Sequence, residues 1–168
     1  MRRLRKKSKR PKRPWDAERI KEEKALMKKY GLRRKREIWR AEAILRSFRQ
    51  RARELIATRD KQKEKALIGK LSRMGLLPEK AEVEDVLGLN IENILDRRLQ
   101  TMVFKKGLAK TPLSARQMIV HGHVYIGEKR IVFPSYLVNV EEENKIIVKG
   151  VTRRATHGKE TGKKENEK

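Results

Sequence analysis

Apolar positions recur at steps of three and four through the first half of the chain, a spacing that predicts helices. Ile38, Trp39, Leu45, Phe48, Ala52, Leu55 and Ile56 write one long stripe, with Arg46, Arg49 and Arg53 towards the opposite side. Ahead of it, Trp15 and Asp16 have the form of a staple residue and an N-cap, opening a helix to about Lys29 that stops at Gly31. After it, Leu67, Leu71 and Met74 mark a third helix that ends at Gly75, and Pro78 breaks the chain before an acidic segment at 82–87. No strand is predicted before residue 90.

Beyond that point the pattern changes. Asn90 caps a helix with inward positions Ile91, Ile94, Leu95, Leu99, Met102 and Val103; Arg97 and Arg98 are expected outside, with Lys105, Lys106 and Gly107 at its end. Thr111 and Pro112 open a helix of about three turns that Gly122 terminates. Leu113, Met118, Ile119 and Val120 are expected to dock it, leaving Arg116, Gln117 and His121 polar. The helix runs into strand candidates at 124–126, 131–133, 136–138 and 145–148. A turn at 127–129 presents Lys129 and Arg130 at its tip, and Pro134 marks where the chain leaves regular pairing. The expected fold class is α+β: a mainly helical region at 15–90, then a small domain at 91–150 with two helices packed on a short antiparallel sheet. A basic arm expected to be disordered without a polyanion (1–14) and a patternless, mobile tail (151–168) flank them.

Charge narrows what such a chain can do. Its 168 residues hold 46 Lys plus Arg against 22 Asp plus Glu, a formal net charge of +24, which calls for a polyanionic partner. The first 60 residues carry +16 of this, and residues 1–14 contain nine basic side chains and no acidic one. Cysteine is absent, which excludes disulfides, thiolate catalysis and Cys-based zinc sites. No apolar run approaches a bilayer span, and neither a signal peptide nor a lipidation motif is evident, so a soluble intracellular protein without a membrane partner is expected.

Catalytic chemistry has little to stand on. Three histidines and scattered carboxylates form no acid–base or nucleophilic set, His121 and His123 make only half a metal site, and no Gly-rich phosphate loop is present. Neither enzyme activity nor a cofactor is expected. The basic residues at element ends and turns, Arg97, Arg98, Lys105, Lys106, Arg116, Gln117, His121, His123, Lys129 and Arg130, instead can form one phosphate-binding face. Trp15, Trp39 and Phe48 could stack on bases, but their spacing or staple position argues for core packing. A compact basic surface without a dimerisation zipper suits irregular RNA better than duplex DNA.

A family resemblance follows. Leu95-Asp96-Arg97-Arg98-Leu99, Ala115-Arg116-Gln117, His121-Gly122-His123-Val124, Gly127, Pro134-Ser135-Tyr136 and Val138 resemble the S-four RNA-binding domain. Val86-Leu87-Gly88-Leu89, the run from Thr101 to Ala109 and the helical first half are similar to the archaeal form of the universal uS-four family of small-subunit ribosomal proteins. The resemblance implies binding to small-subunit ribosomal RNA of the five-prime domain early in assembly, among neighbouring small-subunit proteins and near where messenger RNA enters, in the cytoplasm. It places Arg97, Arg98, Lys105, Lys106, Thr111, Ser114, Arg116, Gln117 and His121 on the RNA face; the residue reading adds His123, Lys129, Arg130, Arg46, Arg49 and Arg53. Many bacterial relatives carry a zinc-binding cysteine cluster, which this chain lacks, so no metal is carried over. The same domain also occurs on RNA-modifying enzymes, which leaves an RNA-modification factor or an RNA chaperone as the alternative. The region at 1–90 offers neither the length nor the carboxylates and Gly-rich loops of a catalytic domain.

Overall fold

The computed structural model describes Ser8, residues 10–78 and residues 80–149. Most of the expected basic arm and the expected tail at 151–168 lie outside the described residues.

Three helices lead. α1 (Ala17–Tyr30) is capped by Asp16, whose carboxylate accepts from the Arg19 N–H, and Gly31 ends it at φ 60°, a left-handed turn that a side chain would strain. α2 (Lys35–Thr58) buries Ile38, Ala41, Leu45, Phe48 and Ala52, the predicted stripe. α3 (Lys61–Arg73) starts at Asp60, which accepts from the Gln62 and Lys63 N–H groups. Glu23 ties α1 to α2: 3% exposed, it accepts from Trp39 Nε1 at 3.0 Å and pairs with Lys35 at 2.9 Å. A short α4 (Asp85–Gly88) and α5 (Ile91–Asp96) close over α2, so that Leu45, Phe48, Leu71, Val86, Ile94 and Leu95 share one apolar core.

The single helix expected from Asn90 to Lys106 is two. α5 stops at Asp96 and α6 (Leu99–Lys105) begins after a break at Arg97 and Arg98. The backbone of the break is taken by the segment expected to be a strand at 136–138. Val138 N–H donates to Arg97 O at 2.9 Å, Leu99 N–H donates to Tyr136 O at 2.8 Å, and one bridge joins Arg98 to Leu137. Hydrogen bonds to a distant segment thus replace helical ones. Arg97 and Arg98, expected outside, are turned inward, with side chains 14% and 6% exposed.

α7 (Pro112–Val120) follows with Thr111 as its cap. Ala115 and Ile119 are fully buried against α6, whereas Leu113 and Val120, expected to dock the helix, are 63% and 55% exposed because they lie on the other side of the turn. The sheet has the order β2-β1-β3, with β1 (Val124–Ile126) central. β2 (Lys129–Arg130) pairs antiparallel with β1, so Lys129 and Arg130 form the strand rather than its tip. The segment at 131–133 leaves pairing earlier than expected. α8 (Val140–Glu143), unforeseen, is opened by a capping box between Asn139 and Glu142, and β3 (Ile146–Val148) returns antiparallel to β1. Leu99, Val103, Ala115, Ile119, Val124 and Val138 form a second core.

Candidate nucleic-acid interface

Between the two cores lies a polar seam, and its centre is Glu37 in the first turn of α2. Its Oε2 accepts from Arg98 Nη2 at 2.5 Å and from Arg116 Nη1 at 3.1 Å, while Oε1 accepts from Arg116 Nη2 at 3.0 Å. Burial pushes the Glu37 carboxyl up, but the hydrogen bonds and charges of Arg116 and Arg98 together outweigh it and hold its pKa below the usual 4.5. Beside it, Gln100 is 1% exposed. Its Nε2 donates to Tyr30 O at 3.1 Å and to Gly31 O and Pro112 O at 3.0 Å, and its Oε1 accepts from Arg116 Nη1 at 3.3 Å. Gly31 permits this approach, since a Cβ there would stand 2.8 Å from the Cβ of Pro112.

Arg97 makes a second fastening. Its Nη1 pairs with Glu143 Oε2 at 2.9 Å, its Nη2 donates to Val138 O at 3.0 Å, and its guanidinium lies against Gly75. Lys106 Nζ donates to the Glu143 carbonyl, and Lys105 pairs with Asp96 at 3.0 Å. Of the residues assigned to an RNA face, then, Arg97, Arg98 and Arg116 spend their forks inside the protein. Thr111 accepts from the Ser114 N–H at 3.1 Å, a capping role for both.

The exposed remainder falls into two groups. Gln117, His121, Lys129 and Arg130 stand open at the end of α7 and along β2. Arg130 Nη2 donates to His121 O at 3.2 Å and lies over Gly122, and the rings of His121 and His123 stack with centroids 6.3 Å apart. Among the described residues no third metal-ligating side chain joins these histidines. The second group is on α2. Arg46 and Arg53 are exposed beside a shallow groove that Glu42, Gln50 and Ile91 also line, while Arg49, half-buried, donates to Leu89 O at 2.6 Å. Sequence reading missed Glu37 and Gln100. An acidic residue in a helix's first turn is a cap signal, and nothing local reveals that two arginines 61 and 79 residues away converge on it.

A helical region fastened by ion pairs to a short basic helix, a hairpin and a three-stranded sheet defines the class: residues 97–144 match the S4 domain family. Whole-chain relatives then give the family. The chain is 53% identical over 146 residues to small ribosomal subunit protein uS4 of Saccharolobus islandicus, covering 84% of this chain and 81% of that one. It is 55% identical over 140 residues to small ribosomal subunit protein uS4 of Methanococcus aeolicus, covering 81% and 79%. The chain belongs to the uS4 family, in its archaeal form.

Proposed function

We propose that this chain is a structural constituent of the small ribosomal subunit that binds ribosomal RNA of the five-prime domain and helps to nucleate assembly there. It is not an enzyme, and its place is the cytoplasmic ribosome. The observation that carries the RNA reading is the division of charge. Carboxylates such as Glu23, Glu37, Glu143 and Asp96 face cations of the chain itself, while Arg46, Arg53, Lys129 and Arg130 remain exposed on both regions. A preformed face of this kind neutralises phosphates without first reorganising. Arg98 and Arg116 serve the reading indirectly, by fixing the angle between α2 and the S4 domain so that the two groups of cations meet one folded RNA, while Arg97 braces Glu143 and Val138 within the domain. The nine basic residues of 1–14 add phosphate contacts. Neighbouring small-subunit proteins and the path by which messenger RNA enters complete the proposed surroundings.

The test is binding of the full chain to a five-prime-domain RNA fragment across a salt series, together with sedimentation of subunits at high salt. The expected result is a steep salt slope and retention on the small subunit. Release at high salt would favour a visiting RNA chaperone instead.

A further inference from the structure

Trp15 stands immediately before the cap of α1 and is 90% exposed, more than any other large apolar side chain among the described residues. The staple expected of it does not form. Its neighbours explain why: Arg19 Nη2 reaches back to Arg13 O at 2.6 Å and Pro14 O at 3.1 Å, drawing the incoming chain along the first turn and leaving the ring outside. On its other side Asp16 accepts from the Arg19 N–H at 3.5 Å, and its carbonyl accepts from the Ile20 N–H at 3.1 Å. The backbone on both sides of Trp15 is therefore tied to α1, so that the indole projects into solvent from an anchored stretch of chain.

The chain leading into it is cationic, while the exposed acids Asp16 and Glu18 follow it. Arg10, Lys12 and Arg13 precede it and are exposed. An aromatic face presented on a braced backbone, with phosphate-binding cations beside it, fits a base that has left its own stack, because stacking tolerates any base while the cations hold the adjoining backbone. A protein pocket for an indole would be apolar and would have to desolvate those cations as well. Charge complementarity thus favours a polyanion.

We propose that Trp15 is a stacking platform for an unpaired base of the ribosomal RNA, a contact that rests on the function proposed above. Trp39 is the only other tryptophan, so the full-length W39F variant leaves Trp15 as the sole indole reporter. Titrated with the five-prime-domain fragment, that reporter should lose much of its emission as the base stacks on it. W15A should bind the same RNA about 5- to 150-fold more weakly, W15F should recover most of the loss and W15L should not. Because the ring is exposed, the circular-dichroism melt of W15A should match the wild type. Wild-type affinity in W15A, unquenched emission, or full rescue by W15L would each overturn the proposal. So would a defect seen only when other subunit proteins are present, which would give the ring to a protein neighbour. Failure of the wild-type chain to bind the fragment would instead overturn the ribosomal RNA reading, and this contact with it.

Discussion

Arg98 lies 2.5 Å from the carboxylate of Glu37 although 61 residues separate them, and this pair joins the first turn of α2 to the start of α6. Arg116 closes on the same carboxylate from α7. Three charged side chains 6 to 23% exposed pair with one another there. Removing the acid leaves two guanidinium groups facing each other in a site half-closed to water. Glu37→Ala should therefore destabilise the free protein by about 2–4 kcal/mol, measured by urea denaturation.

The same site sets an acid limit. Glu37 has its pKa lowered in the folded protein, so it binds protons more readily when unfolded, and its contribution is complete above its unfolded value. That contribution is lost as the pH falls through the lowered folded value. Stability followed downward from pH 6 should drop for the wild type below about 4.5, and Glu37→Gln should reduce that part of the slope while starting from a lower level.

Gln100 has no charge to lose, yet the two N–H groups of its amide are shared among three backbone carbonyls. Gln100→Leu is close in size and strands all three. A loss of about 2–3 kcal/mol is expected, with faster amide exchange at the α1–α2 turn and the start of α7 as the local signature.

At Gly122, φ is 76° and an added Cβ would run into the Arg130 guanidinium. That side chain can swing aside, so the left-handed backbone sets most of the cost. Gly122→Ala should destabilise by about 1–2 kcal/mol and release Arg130 from the His121 carbonyl, which a crystal structure or side-chain NMR would reveal.

Arg46 and Arg53 are exposed on α2 with no part in the seam. Replacing each with Gln should leave stability within about 0.5 kcal/mol of wild type. Each change should reduce the log–log salt slope for RNA binding by about 0.7 to 0.9, one phosphate contact apiece. Arg116→Lys should behave in the opposite way, lowering stability through loss of the fork while leaving the salt slope nearly unchanged.

These contrasts also mark how far the sequence could be read. Local chemistry was legible: Asp16, Thr111, Gly31 and Gly122 act as caps and stops because each answers to backbone geometry within a few residues. The stripe of α2 was legible for the same reason. Arg97 and Arg98 were not, since periodicity continues through them and only the distant carbonyls and amides of 136–138 end the helix. The strand expected at 136–138 failed with them, its hydrogen bonds having gone to that break rather than to the sheet. Trp15 was misplaced because the Arg19 guanidinium donates to the carbonyls of Arg13 and Pro14 just ahead of it and draws the incoming chain along α1, a preference that an apolar staple rule does not contain. The RNA motif was recognisable in sequence, while the use of its arginines to brace the fold was not.

The carboxylates held inside also decide what an approaching partner meets at long range. Each acid paired with a cation of the same chain forms a short dipole, whose field falls off with distance more steeply than that of a single charge, on top of the screening by salt that both share. What extends further is the field of the arginines and lysines left over. A polyanion is consequently drawn in from many orientations before any shape is matched, so encounter is fast, indifferent to sequence and strongly slowed by salt. Under the proposed function, selection then falls to the slower step that follows, in which the braced angle between the two regions either fits the RNA or lets it go.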